Sequence, residues 1–394
     1  MSNRLDDSAL ANSTEQAAWN ETDPQARRRH VAELRAVGSA QVLTDAPEEV
    51  RDQQIMNSLA YQLEPMRSRD GLTARTRTIP RPGPHQVVVR VRAASIDRRD
   101  IMLMEGTYPV PAEPGVVPLA SGVGEVIALG NGVTRAAVGD RVTGTYFLGW
   151  IDGPQTQALS WRQYGANHDG WLAEHIVLEE DSVVHVPGHL TDAEAATLTC
   201  AGLVAWAGLT KPVPVGAGQT VLTVGSGVVG LFAVQHATML GARVVSITSS
   251  AEKAERLRRL GADEIVDRTR TPDWEQAVLD LTDGLGADHV IDAVGPLTLP
   301  KSLAAAAYNA QVTLIGAFPG PAGQPSADPL GGKYLAIRRV AVGSRTDFEA
   351  MNRAIAEHGA RPVIDQVFPF DRAVDAFRHF TEGDPFGKVV ITVP

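Results

Sequence analysis

The chain has 394 residues, 44% of them apolar and 21% charged, with a formal net charge of -10. That length exceeds what one hydrophobic core organises, so two or three domains are expected. The acidic balance argues against general affinity for nucleic acid or for an anionic membrane. A single cysteine, Cys200, excludes an intrachain disulfide and a multi-cysteine structural zinc site, and it suits a reducing compartment. No stretch approaches about 18 uninterrupted apolar residues. The opening MSNRLDDSALANSTEQ lacks a basic segment followed by an apolar run, so a cytoplasmic protein is expected.

Residues 1–58 are polar and charged and read as a helical extension. In DPQARRRHVAELRAVG, Asp23 can cap a helix, Pro24 sits in its first turn, and Val31, Leu34 and Val37 fall at helical spacing. A second helical stretch is expected over 47–59. From residue 59 to about 190 the pattern becomes β-rich: QVVVRVRAASI alternates as a strand does, and glycines and prolines punctuate the segments that follow. From 191 to 346, strands alternate with helices. Helix-like DAEAATLTCAGLVAWAGL precedes QTVLTVG, and RVVSITS, EIVD, HVIDAVG and QVTLIGAF follow, separated by amphipathic stretches such as AEKAERLRRLG, TPDWEQAVLDLT and LTLPKSLAAAAY. Such alternation implies a doubly wound parallel sheet with helices on both faces. The tail 347–394 ends in GKVVITVP, a strand expected to return to the β-rich domain.

The sharpest motif is Gly225-Ser226-Gly227-Val228-Val229-Gly230. It follows one predicted strand and opens a predicted helix over 228–240, the setting in which a Gly-x-Gly-x-x-Gly turn binds a dinucleotide. Gly225 permits the turn, Gly227 lets backbone approach a diphosphate, and Gly230 lets helix and strand pack. The next strand ends at Thr248, Ser249 and Ser250 with Lys253 on the following helix. No carboxylate stands there to hold a ribose 2′-hydroxyl. Hydroxyls and a cation suit a 2′-phosphate, with Arg268 a second cation, so NADPH (NADP+) is the expected cofactor.

Many segments together resemble the medium-chain dehydrogenase/reductase superfamily. They include SIDRRDIMLMEGTYP, VPLASGVGEVIALGNGVTRAAVGDRV, DGWLAEHIV, EAATLTCAGLVAWAGL, TVGSGVVGLFAVQHA and FGKVVITV. VGSRTDFEAMNRAIAEHGARPVIDQVFPF is similar to the zinc-less, quinone-oxidoreductase-like branch of alcohol dehydrogenase homologues. The resemblance implies a β-rich GroES-like domain over 59–190, completed by about 347–394, and a Rossmann domain over 191–346. Zinc-dependent members hold their catalytic zinc at positions that correspond here to Asp97, Ala120 and Cys200. A catalytic zinc normally has three protein ligands, so the resemblance implies that no zinc is used.

By the same resemblance Tyr108, in GTYP, matches a proposed proton donor, and Asp97 faces the substrate cleft as a candidate acid or base, or as the partner of a neighbouring arginine. Asp100 ties down the Asp97 loop. Tyr146, Phe147 and Trp150 furnish aromatic cleft wall. Ser344 and Arg345 reach the cofactor, and Lys388 approaches its phosphate end. His168 is read as a surface-loop histidine, with a general-acid role as the alternative. Where zinc-less relatives carry Asn and Thr, this chain has Asp97 and Val204. The expected activity is transfer of hydride to a carbonyl, quinone or conjugated alkene of a small-molecule substrate by a homodimer. A zinc-type alcohol dehydrogenase, and an NADPH-binding member with redox-neutral or regulatory work, stay open as alternatives.

Overall fold

The computed structural model describes residues 54–64, 71–316 and 333–394, and the first expected helix lies outside them. The second, over 47–59, is corrected where it enters the described residues: Gln54–Leu63 is a strand. It pairs antiparallel with Leu72–Pro80, Leu59 facing Thr76 and Tyr61 facing Ala74. The Tyr61 N–H donates to Leu172 O at 2.9 Å, the Glu174 N–H donates to Leu59 O at 2.9 Å, and the Tyr61 ring meets Phe370 edge-on at 5.1 Å. Those tertiary partners outweigh the local helical pattern.

The β-rich half is a seven-stranded sheet. Its order runs Ile364–Pro369, Lys388–Thr392, Gln86–Ser95, Ser121–Leu129, Arg141–Gly144 and Val183–His185, with His175–Glu179 also paired to Gln86–Ser95. The C-terminal strand therefore does return to this sheet, antiparallel to Gln86–Ser95, with Ile391 opposite Ala94. Trp171 is fully buried beneath Ser121–Leu129, and a Cβ on Gly122 would stand 2.5 Å from its ring, so glycine is required at that contact.

The second sheet has six parallel strands in the order Glu264–Asp267, Arg243–Thr248, Thr220–Val224, Ala287–Asp292, Ala306–Leu314 and Ala336–Arg339. Adjacent residues on its central strands enter different cores. Val221, Val244 and Ile291 pack with Leu231 and Phe232 of the helix Val228–Met239, whereas Leu222, Val245 and Val290 pack with Trp274, Val278 and Leu303. Both faces are covered, which explains the near-continuous apolar strands. The chain is an α/β protein with a GroES-like sheet domain and a Rossmann parallel sheet.

Two expected helices are cut short. DAEAATLTCAGLVAWAGL divides into Asp192–Ala195, a π-helical turn Leu198–Gly202 and Leu203–Thr210. The Ser95 hydroxyl donates to Ala196 O at 2.9 Å and the Thr197 hydroxyl to Glu194 O at 2.7 Å, giving these carbonyls partners outside a regular α-helical ladder. LTLPKSLAAAAY is helical only over Leu299–Ala304, because Ala306 already pairs with Ala287 in the sheet.

His236, on the helix that follows the Gly-rich turn, is buried between Phe232 and Trp206, with ring centroids 5.6 Å away in each case, and its Nε2 donates to Gly202 O at 3.2 Å. Burial pushes this imidazole down to about 4. The folded state then holds it neutral where the unfolded chain, near 6.5, takes up a proton. Its contribution to stability is present above pH 6.5 and is lost as pH falls toward 4, with a slope of at most about 1.4 kcal/mol per pH unit. Denaturant unfolding of His236→Phe should show a shallower loss of stability between pH 6.5 and 4 than the parent; parallel profiles would contradict this burial.

Candidate active site

In the six-stranded sheet the first strand, Thr220–Val224, lies between the second, Arg243–Thr248, and the fourth, Ala287–Asp292. The chain order reverses there, opening a crevice at the carboxyl ends of the strands. Gly225–Gly230 fills the turn at that point. Gly225 has φ +102, and a Cβ on Gly230 would lie 1.9 Å from Gly225 O. At Gly227 a Cβ would meet nothing within 4 Å, so its outer face is free for a ligand. Gly227 is also the N-cap of Val228–Met239 and offers no side chain to its first N–H groups. Open space, orphan donors and a helix N-terminus fit a diphosphate.

Across the turn, the Thr248 hydroxyl donates to Ser226 Oγ at 3.3 Å. Ser250 caps the next helix, Ala251–Arg259, by accepting the Lys253 N–H at 3.1 Å, and Ser249 is half-buried beside it. Arg268 is exposed and its backbone N–H donates to Thr248 O at 2.9 Å. These five residues thus gather at one strand tip. Lys253 Nζ, however, reaches Asp384 at 2.6 and 2.8 Å, a carboxylate from the C-terminal segment that the sequence pattern did not flag. Asp292, also missed, is wholly buried and accepts the Val294 and Gly295 N–H groups at 2.9 and 2.8 Å and the Ser302 hydroxyl at 2.8 Å, fixing the turn opposite the glycines.

A second cluster lies at the seam between the sheets. Asp97 precedes the helix Arg98–Glu105 and its N–H donates to Asp100 at 2.8 Å, so Asp100 does tie the loop down. Asp97 pairs not with an arginine but with Lys388. The ammonium donates to Asp97 Oδ1 at 2.7 Å and to Ile96 O at 3.0 Å, and Ser121 Oγ donates to Asp97 Oδ2 at 2.7 Å. Lys388 is 0% exposed and Asp97 6%. The expectation that Lys388 reaches a cofactor phosphate is corrected: the ammonium is enclosed against Asp97.

Arg99 is likewise buried. Its Nη1 donates to Tyr164 O at 2.8 Å, and its guanidinium lies over the rings of Tyr146 and Tyr108, 4.7 and 5.4 Å from their centroids. The two phenol oxygens are 2.7 Å apart, and the Tyr108 hydroxyl reaches Gln163 Oε1 at 3.3 Å. Burial pushes the Tyr146 phenol well up, despite the nearby Arg99 charge, while Tyr108 is half-exposed. Tyr146, Phe147 and Trp150 form one aromatic wall, with centroids 4.7 and 6.0 Å apart in sequence.

Ser344 and Arg345 are placed at the seam, away from the Gly-rich turn. Ser344 caps the helix Arg345–His358 through Asp347, the Arg345 N–H donates to Trp150 O at 3.0 Å, and Arg345 Nη1 meets Asp181 at 2.9 Å. Val204 is buried. His168 lies in a loop with Nδ1 3.0 Å from Asn167 Oδ1.

The donor set does not fit a three-ligand zinc site. Asp97 is engaged by Lys388 and Ser121 and Ala120 is a buried methyl, which leaves Cys200 as the one uncommitted donor of the three positions. Among the described residues no three His, Cys, Asp or Glu side chains converge as a metal cage, and no helix is long and apolar enough to cross a membrane.

Family comparison agrees with this two-part layout. Residues 83–188 match the alcohol dehydrogenase GroES-like domain and residues 228–357 the zinc-binding dehydrogenase domain. A zinc-type alcohol dehydrogenase-like protein of Schizosaccharomyces pombe is 35% identical over 79% of this chain and 91% of its own length. The chain belongs to the medium-chain dehydrogenase/reductase superfamily. A quinone oxidoreductase of Pseudomonas aeruginosa is 33% identical over 70% of this chain and 79% of its own. A solved putative alcohol dehydrogenase from Sinorhizobium meliloti superposes with TM-score 0.79 at 36% identity, covering 86% of this chain and 100% of that one. This superfamily member is therefore an alcohol dehydrogenase- and quinone oxidoreductase-like oxidoreductase of a family that binds NAD(P).

The buried pair generates a stability test. Lys388→Met leaves the Asp97 carboxylate enclosed without its cation and should lower the unfolding free energy by about 3–5 kcal/mol, whereas Asp97→Asn combined with Lys388→Met should recover part of that loss. Urea melts of the three proteins measure this; a neutral Lys388→Met would contradict the pairing.

Proposed function

We propose that this protein is a zinc-independent, NADPH-dependent reductase of a carbonyl, quinone or conjugated alkene in a small-molecule substrate, working as a cytoplasmic homodimer. The observation that carries the reading is the Tyr108–Tyr146 pair held over Arg99 at the seam, on the same chain as a diphosphate-fitting turn. Preference for NADPH rests on Thr248, Ser249, Ser250, Lys253 and Arg268 at a strand tip without a carboxylate of its own.

Bound NADPH supplies the hydride. The backbone of Gly225–Gly230 holds the diphosphate, and the hydroxyls and cations at the strand tip hold the 2′-phosphate. Negative charge then develops on the substrate oxygen and needs a proton or a hydrogen bond. Tyr108, the half-exposed member of the pair, is the donor. As its proton leaves, the Tyr146 hydroxyl keeps its proton and donates a hydrogen bond across the 2.7 Å contact to the Tyr108 oxygen. The buried Arg99 guanidinium, 4.7–5.4 Å from both ring centres, stacks on the pair and holds the two phenols in place. Lys388 fixes the N-cap Asp97 of the helix that carries Arg99, and the aromatic wall excludes water.

NADPH consumption at 340 nm with enones, quinones and aldehydes, in the presence of a chelator, tests this reading. Tyr108→Phe should lower kcat at least about 100-fold while NADPH affinity is retained. An unchanged kcat removes Tyr108 as donor, and binding of NADPH with no turnover of any substrate class favours the non-redox alternative.

A further inference from the structure

The strand ending at Thr248 carries no acid of its own; Asp267, its register partner on the next strand, is turned to Thr269, but the fold brings Asp384 to Lys253 from 131 residues away. Asp384 holds Lys253 Nζ with both carboxylate oxygens, at 2.6 and 2.8 Å. The lysine side chain is 18% exposed and the aspartate 84%, so the cation is mostly enclosed while its partner faces solvent. Lys253 lies in the first turn of Ala251–Arg259, next to the Ser250 cap and the Thr248–Ser226 contact. Any anion that Lys253 receives at the crevice competes with Asp384 for the same ammonium.

We infer that Asp384 is a specificity-determining residue that sets how strongly the protein prefers a 2′-phosphorylated dinucleotide. This rests on the reading of Gly225–Lys253 as the dinucleotide site. The argument is electrostatic. A 2′-phosphate brings about two negative charges to a point where Asp384 already occupies the cation, so it must displace the carboxylate and tolerate it nearby. An unphosphorylated ribose makes no such demand, and a carboxylate beside it is the usual acceptor for its hydroxyls. Asp384 therefore acts against the phosphorylated cofactor, while Lys253 and Arg268 act for it.

The loop can release Lys253 without coming apart. Two residues on, Phe386 is buried with the Arg256 guanidinium 3.8 Å from its ring centre, and its N–H donates to Asp365 at 2.9 Å. Gly387, at φ +131, would bring a Cβ within 2.7 Å of Val363 O, which leaves little choice of path into the strand beginning at Lys388. Asp384 is thus a removable counter-ion on a fixed loop.

Calorimetric titration of the full chain with 2′,5′-ADP and with 5′-ADP, fragments that differ only in the ribose phosphate, tests the inference without turnover. Asp384→Asn should tighten 2′,5′-ADP about fivefold and leave 5′-ADP within about twofold, with the gain shrinking as salt rises. Lys253→Met should cancel the gain when combined with Asp384→Asn. Equal changes for both fragments, no change for either, or a gain that survives Lys253→Met would overturn the role of Asp384. A parent protein that binds 5′-ADP but shows no effect of Asp384→Asn fails this inference alone. One that binds neither fragment fails the dinucleotide reading beneath it.

Discussion

A buried ion pair between residues 291 positions apart, Asp97 and Lys388, organises the seam of this molecule. One partner begins the helix Arg98–Glu105 and the other begins the last strand, so the contact closes the β-rich sheet around its C-terminal return. An enclosed ammonium survives only with a compensating charge and hydrogen bonds, and Asp97 and Ile96 O provide both. The same pairing commits the carboxylate that stands where zinc-dependent relatives place a metal ligand.

Arg99 follows directly from that anchored loop. Its charge is met by the faces of two phenols and by the Tyr164 carbonyl, with Asp100 only at 3.9 Å. The guanidinium thereby holds the two phenols in contact with each other. The C-terminal segment links this cluster to the cofactor side, because Asp384, Phe386 and Lys388 engage Lys253, Arg256 and Asp97 in turn.

Local signals carried much of this architecture. Strand alternation, the glycine turn at 225–230 and the strand tip at Thr248–Lys253 all depend on short-range pattern, and the structure brings these residues together. What was not legible is long-range pairing. Nothing near Asp97 announces Lys388 as its partner in place of an arginine, and nothing near Lys253 announces Asp384. The first part of the strand Gln54–Leu63, up to Leu59, reads as helix because its pairing with Leu72–Pro80 and its contact with Leu172 are tertiary. The helix cap made by Ser344 and the pairing of Arg345 with Asp181, 164 residues away, are contacts of the same long-range kind.

Metal analysis bears most directly on the claim that Lys388 is the cation of this seam. The purified protein, incubated with excess zinc and then dialysed, is predicted to retain well under one equivalent by elemental mass spectrometry, while the Lys388→Met protein gains no catalytic metal because Ala120 still offers no ligand. One tightly held zinc per chain in the parent, removed only together with its activity, would contradict the account.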